Sequence, residues 1–427
     1  MHTERDRVRS LSPALLAGGM VLVAINLRPA AASIGPVLDR IQSDVGLSSG
    51  WAGALTTLPV LCFGLLAPLA PPLARRLGVH SAIAAAMLAL LAGMLLRLVP
   101  GAAFLFAGTA LAGAAIATGN VLVPVIVRRD FPDRTGTAMA LYTTALIGFA
   151  ALAAGVTVPL ADRLGGGWRP GLGVWAIPVA IAAVAWLPAF VRRQAAADTP
   201  IAPRSPVVRP LLRQPLAWWV TLFFALQSGG FYATLAWLPD IFRSHGASDS
   251  RAGLLLSLSI VVGLTTATTL PYIAARRRDH RWLVVVCSAL MAAGLTGILA
   301  APMAAPYLWV VLLGLGQNAA FPLALMLIVM RGGSVATTEG LSTLAQSVGY
   351  VLAALAPLAV GALHGLTGSW TVPLILLLAL VAPQTVVGLA AGRDRQLAPP
   401  APGRECPAAG SLSVSPPTHA TGRQTTK

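Results

Sequence analysis

Two stretches of the sequence that lie 200 residues apart decide the fold. Trp51-Ala-Gly-Ala-Leu55, followed by Pro71-Pro-Leu-Ala-Arg75-Arg76, matches Arg251-Ala-Gly-Leu-Leu255, followed by Pro271-Tyr-Ile-Ala-Ala-Arg276. A second match relates Asn120-x-x-x-Pro124 to Asn318-x-x-x-Pro322 at an offset of 198. The alternative is chance similarity between segments rich in Ala, Leu and Gly. Two matches in the same order along the chain favour an internal repeat of two halves.

The composition indicates a protein whose solvent is lipid. Of the 427 residues, 56% are hydrophobic and only 10% are charged, whereas about 25% are charged in soluble domains. The net charge of +16 is not evidence for binding nucleic acid, because the arginines occur in short clusters between apolar stretches. Such clusters are typical of topology signals in membrane proteins.

We predict an all-α integral membrane protein with twelve transmembrane helices. A helix needs about 20 apolar residues to cross the hydrocarbon core, and runs this long exclude the alternating strands of a barrel. The predicted spans are residues 12–37, 50–70, 81–99, 103–127, 137–160, 170–190, 215–238, 251–274, 282–300, 305–330, 340–363 and 371–391.

The basic residues predict the orientation and the domain boundaries. One set of loops, together with both termini, contains 23 of them and the alternate set contains six. The first set is therefore expected on the cytoplasmic side of the membrane. We expect this membrane to be the inner membrane of a bacterial cell. We predict a six-helix bundle at 1–191, a cytoplasmic linker at 192–213 and a second six-helix bundle at 214–391. Residues 392–427 are predicted to be a disordered cytoplasmic tail.

Arg28 is the most informative candidate for a functional residue. It is predicted about 24 Å into the first helix, where a charge costs at least ~2.5 kcal/mol and marks a functional site by default. A guanidinium suits a small anion because it stays charged and offers a planar set of donors. The alternative is a side chain that extends to the outer interface.

Further polar residues fall within helices one, four, five, seven, ten and eleven. As candidate substrate ligands we take Arg28, Asn26, Asn120, Tyr142, Gln227, Asn318 and Gln346. Amides can orient a polar solute, or they can join helices to each other. Asn26 and Arg28 lie about 200° apart around an ideal helix, so they share a cavity only if Pro29 distorts the backbone.

Several kinds of chemistry are not indicated. No Asp or Glu lies deep in a predicted span, so a carboxylate proton relay is not evident. The chain lacks the phosphate-binding motif of ATP-driven pumps, and its three cysteines form no CxxC pair. We therefore expect no cofactor, no metal site and no enzymatic activity.

Several strings resemble one transporter family. They are Asn26-Leu-Arg-Pro29, Ser33-Ile-Gly-Pro36, Leu55-Thr-Thr-Leu-Pro-Val-Leu-Cys-Phe-Gly-Leu-Leu-Ala-Pro-Leu-Ala70, Gly119-Asn-Val-Leu-Val-Pro124, Arg129-Asp-Phe-Pro132 and Leu141-Tyr-Thr-Thr-Ala145. Together these are similar to the cyanate permease and nitroimidazole transporter family of the major facilitator superfamily. In the loop after helix two, Arg75 replaces the Asp of the superfamily signature, so the pairing attributed to that Asp does not carry over.

The resemblance implies two pseudo-symmetric six-helix bundles and alternating access. It implies a small polar or anionic nitrogenous solute such as cyanate, or alternatively efflux of nitroimidazole-like drugs. A sensor that binds a solute without moving it is a third possibility. The expected partners are the small-molecule substrate and the lipid bilayer, and the expected oligomeric state is a monomer.

Overall fold

The computed structural model describes residues 13–165, 167–194 and 208–398, and within these ranges the regular structure is helical. In this part of the chain ten helices are long and apolar enough to cross a membrane, and a bent pair over Trp51–Leu65 and Ala67–Leu77 makes eleven. One further helix, Pro215–Ser244, has 30 residues but carries Gln227, Ser228 and several Trp residues, which lower its hydropathy. The all-helical structure confirms the predicted fold class, and Pro215–Ser244 is a twelfth long helix beside the ten or eleven candidate spans.

The first half contains spans 1 to 6. Span 1 comprises Pro13–Leu27, Pro29–Ala32, the 3-10 turn Gly35–Val37 and Leu38–Val45; span 2 comprises Ser49–Leu65, the 3-10 turn Ala67–Leu69 and Ala70–Leu77; span 3 is Val79–Leu96; span 4 is Ala102–Asp130; span 5 is Thr135–Arg163; and span 6 comprises Trp168–Gly173 and Ala176–Gln194. A 3-10 turn at Pro132–Arg134 joins spans 4 and 5.

The second half contains spans 7 to 12. Span 7 is Pro215–Ser244; span 8 comprises Asp249–Val261 and Gly263–Ala275; span 9 is Arg281–Ala300; span 10 is Pro306–Arg331; span 11 is Val335–Thr367; and span 12 is Thr371–Ala391. The predicted linker is described only at its ends, where a short helix, Val208–Leu211, precedes span 7.

The first residues of the predicted disordered tail are ordered in the structure. Leu397 is buried, its backbone N–H donates to the carbonyl of Arg331 over 2.8 Å, and the N–H of Ala398 donates to Gln214 Oε1 over 3.0 Å. This stretch is ordered because an apolar side chain and two backbone donors find partners at the end of the bundle. Residues 399–427 lie outside the described part of the chain.

Several helices are longer than their apolar stretches. The first predicted span ends at residue 37, but the helix Leu38–Val45 continues it and ends at Gly46, whose φ of 70° suits glycine. Spans 5, 7 and 11 also extend past their predicted ends by three to six residues. Polar helix-forming residues continue these helices into the membrane interface, where hydropathy no longer marks them.

The internal repeat is visible in matched caps and bends. The side chain of Ser48 accepts from the N–H of Trp51 at the start of span 2, and the side chain of Ser248 accepts from the N–H of Arg251 at the start of span 8. Span 2 is then bent by 41° near Leu66, and span 8 is interrupted at Val262. Equivalent caps and interruptions support two halves built on one plan.

The outer surface of the bundle is apolar, as lipid requires. Ile177, Val184 and Val386 are each at least 60% exposed. A soluble protein rarely exposes large apolar patches, whereas lipid is a suitable solvent for them. Inside, glycines let helices approach closely: a Cβ added at Gly93 of span 3 lies 2.7 Å from the backbone of Ala112 in span 4. Among the ten candidate spans, spans 4 and 10 have the largest buried shares.

Candidate functional site

The site begins at a break in span 1. The first helix ends at Leu27, and Arg28 caps a new short helix, Pro29–Ala32. Pro29 has no N–H to donate within the helix, so the helix is interrupted at this point. From the sequence, Pro29 is the residue that could distort the backbone here. Arg97, which is 1% exposed at the end of span 3, donates from Nη1 to the carbonyl of Ala30 over 2.5 Å. This bond satisfies a carbonyl of the broken segment and fixes the backbone beside Arg28.

The Arg28 side chain crosses from the first half to the second. Its Nη1 donates to the hydroxyl of Tyr232 in span 7 over 3.2 Å, and its guanidinium carbon lies 5.3 Å from the ring centroid of Phe321 in span 10. The Tyr232 ring packs edge-on against Tyr350 of span 11. Arg28 is thus surrounded by the hydroxyls of Tyr232 and Tyr350 and by an aromatic face, which compensate only weakly for a charge in a low-dielectric interior.

Arg28 lines a cavity between the two halves. The cavity has a volume of about 70 Å³, several times what one water molecule needs. Its described lining residues are Arg28, Ile147, Ala150, Gln227, Ser228, Phe231, Tyr232, Ile260, Asn318, Phe321 and Tyr350. Arg28 is the one charged side chain among them, so the cavity is apolar and aromatic with a single positive charge. Such a cavity favours a compact anion or a planar polar molecule.

Two of the predicted amides also lie on the cavity wall. Gln227 donates from Nε2 to the carbonyl of Phe224 over 3.1 Å and to Ser228 Oγ over 2.6 Å, while its Oε1 has no partner in the described structure. Asn318 donates from Nδ2 to the carbonyls of Ser259 and Gly314 over 2.9 and 2.8 Å. Because its amide hydrogens are engaged, its side-chain oxygen is the group that a solute can use.

Three other predicted ligands form a buried network beside the cavity. Tyr142 donates to Asn120 Oδ1 over 3.4 Å. Gln346 donates from Nε2 to the backbone carbonyl of Asn120 over 2.8 Å and to Ser342 Oγ over 3.0 Å. None of the three belongs to the described lining. The network connects spans 4 and 5 to span 11, and it therefore has the geometry of contact between helices.

Asn26 faces away from the cavity. Its Nδ2 donates to the carbonyl of Leu22 over 2.6 Å and to that of Pro178 in span 6 over 3.2 Å. The break at Pro29 comes after Asn26, so it does not rotate this residue toward Arg28. Asn26 joins spans 1 and 6 in this structure.

The sequence patterns did not predict the aromatic residues of the site. Tyr232, Phe321 and Tyr350 surround Arg28 but were not among the predicted ligands. One signal was present, since the chain has only five tyrosines and three of them, Tyr142, Tyr232 and Tyr350, lie in the middle of spans. A tyrosine at that depth needs a partner for its hydroxyl.

The end of the bundle near the linker, here called the linker end, closes the cavity on one side. Thr143 Oγ1 donates to the carbonyl of Ala267 over 2.7 Å, joining span 5 to span 8. Ser342 Oγ donates to the carbonyl of Val121 over 2.9 Å, joining span 11 to span 4. Arg128 Nη2 donates to the carbonyl of Gly333 over 2.5 Å. These bonds seal the linker end between the two halves.

Close packing reinforces this seal. A Cβ added at Gly136 in span 5 lies 2.7 Å from Ala275 Cβ in span 8, and one at Gly64 in span 2 lies 2.9 Å from the backbone of Val351 in span 11. At the opposite end, spans 2, 8 and 11 expose Trp51, Leu254 and Leu358. The structure is therefore of a carrier-like bundle closed at the linker end.

The comparisons with known proteins agree with this architecture. The family model described as Major Facilitator Superfamily matches residues 16–354. The 2-nitroimidazole transporter of Escherichia coli K12 is 37% identical over 90% of this chain and 96% of its own. The cyanate transport protein CynX of the same organism is 32% identical over 82% and 90%. The crystal structure of the transporter FucP in the outward conformation has a TM-score of 0.68 and 14% identity, over 90% of this chain and 99% of that one.

Proposed function

Because the chain belongs to the major facilitator superfamily and is a transporter, we propose that it moves a small anionic or polar nitrogenous solute, cyanate-like in size, across the bacterial inner membrane. The observation that supports this most is the position of Arg28 on the wall of a cavity between the two halves. The Tyr232 hydroxyl can donate to the solute beside that charge, and the free side-chain oxygens of Asn318 and Gln227 can accept from a solute that carries an N–H.

The proposed mechanism is alternating access. With the linker end in the cytoplasm, as the basic loops predict, the seal between the halves lies on the cytoplasmic side and the structure corresponds to an outward-facing state. The solute enters from outside, meets Arg28, and the halves then rock so that the seal opens. The chain's own groups provide binding and orientation, and the transported molecule is unchanged.

Uptake into proteoliposomes tests this function. The purified full chain should give saturable, time-dependent uptake of radiolabelled cyanate, and liposomes without protein should give none. Binding of cyanate without flux would instead identify a sensor and overturn the proposed transport. Absence of both binding and flux for cyanate, nitrite and nitrate would remove small anions as the substrate class.

A second candidate is efflux of nitroimidazole-like compounds. It is favoured by the aromatic part of the cavity, where Phe231, Phe321 and Tyr350 present ring surfaces, and by the 37% identity to a 2-nitroimidazole transporter. Arg28 would then donate to a nitro group. Expression in a sensitive bacterial strain should raise tolerance to 2-nitroimidazole, and unchanged tolerance with normal protein levels would exclude this candidate.

A further inference from the structure

Arg28 has no negative partner in the part of the chain that the structure describes. Its contacts include the Tyr232 hydroxyl, the Phe321 ring and the Tyr350 hydroxyl, all uncharged. The ion pairs found in the described ranges join other residues. These pairs lie at the ends of spans, as between Arg40 and Asp162. An empty cavity therefore carries one uncompensated positive charge.

That charge cannot be removed by losing a proton. A guanidinium stays protonated in proteins, unlike the amine of a lysine. The cavity lining described here contains no carboxylate and no histidine that could neutralise or compensate it in step with a proton gradient. The only species that can balance the charge at this place is an anion that enters the cavity.

Reorientation makes this balance decisive. In the present state one end of the cavity is closed by the Thr143–Ala267 and Ser342–Val121 hydrogen bonds, and on that side Arg28 is separated from water. To reach the opposite state the other end must also close, so Arg28 passes through an occluded state in which bulk water cannot solvate its charge. An unpaired charge is costly there, whereas a paired one recovers much of that cost through the ion pair.

We infer that the protein is an exchanger of monovalent anions, in which the loaded carrier reorients readily and the empty carrier does not. This inference rests on the proposed function, since it names the substrate class and the coupling of the same site. An anion carried inward leaves Arg28 unpaired on the inner side, and a second anion from that side must bind before the carrier returns. Each cycle then moves one negative charge in each direction and no net charge.

Preloaded proteoliposomes test the inference directly. Uptake of radiolabelled cyanate is measured into vesicles loaded with unlabelled cyanate and into vesicles loaded with impermeant gluconate. We expect at least about tenfold faster uptake into the first, which requires only ~1.4 kcal/mol of extra barrier for the empty carrier. A potassium diffusion potential set with valinomycin should leave the exchange rate unchanged. Equal rates in the two preparations, or uptake driven by a pH gradient, would overturn exchange while leaving transport intact.

The outcomes separate this inference from the proposed function. Saturable uptake that is equally fast into gluconate vesicles supports transport and removes exchange, whereas no uptake under either loading removes the transport of cyanate itself. Arg28→Lys puts an amine that can lose its proton in place of the guanidinium, so its preference for preloaded vesicles should be smaller than that of the wild type. Arg28→Gln removes the charge, so its residual uptake should be equally fast into the cyanate-loaded and the gluconate-loaded vesicles. Faster uptake by Arg28→Gln into the cyanate-loaded vesicles would contradict the account. If Arg28→Gln is inactive, the comparison of the two vesicle preparations with the wild-type protein decides alone.

Discussion

Spans 1 and 7 occupy equivalent places in the two halves, yet they contribute different chemistry to the same cavity. At the repeat offset of 200, Arg28 corresponds to Ser228, and both line the cavity. Span 1 is broken at Pro29, whereas span 7 runs unbroken through Gly229 and Gly230 as a 30-residue helix. The repeat thus preserves the helical framework while the charge comes from the first half and the aromatic and amide groups come mostly from the second.

The largest expected difference is between the alanine variants of these two residues, Arg28→Ala and Ser228→Ala. Arg28→Ala should lower kcat/KM for cyanate uptake by at least about 100-fold, since the loss of a charge-assisted contact in a desolvated site costs roughly 3 kcal/mol. Ser228→Ala should change it by less than about threefold, because Ser228 carries no charge and its oxygen already accepts from Gln227. Uptake kinetics in proteoliposomes measure both.

Arg163→Ala is the matched control for loss of charge. Arg163 is exposed at the end of span 5, so its removal lowers the net charge by the same amount without touching the cavity. Its kinetics should equal those of the wild type. If Ser228→Ala and Arg28→Ala proved equally damaging, the division of roles between the two halves would be wrong.

A second, smaller contrast is between the repeat-related residues Asn318 and Asn120. Asn318 lines the cavity with a free acceptor oxygen, so Asn318→Ala should raise KM about three- to tenfold for a solute that carries an N–H, such as 2-nitroimidazole, through loss of one hydrogen bond. The Asn120 side chain instead accepts from the Tyr142 hydroxyl, so Asn120→Ala should lower the melting temperature by leaving that buried hydroxyl without its partner, and should leave KM within about twofold. Equal KM changes in the two variants would contradict this placement.

The sequence predicted Arg28 and the framework because both depend on local, one-dimensional features. Apolar length marks a span, and a charge in the middle of a span has few places to go except an interior cavity. The two asparagines show the limit. They occupy matched positions in the repeat, but which of them reaches the cavity depends on small rotations of spans 4 and 10 and on close contacts such as that between Asn318 and Gly263.

The aromatic residues around Arg28 also could not be predicted from the sequence. Phe321 and Tyr350 are separated from Arg28 by roughly 300 residues of chain, and a phenylalanine in an apolar helix gives no signal of which way it faces. Hydropathy also could not predict where helices end, because the helix Leu38–Val45 that extends span 1 is largely polar. The sequence therefore singled out the charged residue that lines the cavity, but not the aromatic residues around it.

The smallest expected effect concerns the two histidines at the linker end, His80 and His280. His280 is buried; its Nε2 lies 2.9 Å from the carbonyl of Ala274 and its Nδ1 lies 2.6 Å from Arg331 Nη2. Only a neutral ring that donates from Nε2 fits both contacts, and burial lowers the pKa of His280 below its usual 6.5. His80 is partly exposed and pairs with Asp130.

A lowered pKa in the folded state makes stability depend on pH with a defined sign. The contribution of His280 is fully present above about pH 6.5 and is lost as the pH falls below that value, because the unfolded chain then binds the proton first. The melting temperature should therefore drop by a few degrees from about pH 7.5 to 5.5, and this drop should shrink in His280→Asn. His80→Asn should keep it, and an unchanged pH response in His280→Asn would contradict the neutral contact.

The central claim, that Arg28 holds the anion, is tested most directly by ligand-induced thermal stabilisation of the purified protein. Cyanate, nitrite and nitrate should raise the melting temperature of the wild type and of Arg163→Gln in a saturable way, since a ligand that binds only the folded state stabilises it. Arg28→Gln should fold with a similar baseline and show no rise. Equal stabilisation of Arg28→Gln by the same anions would place their binding elsewhere and contradict the account.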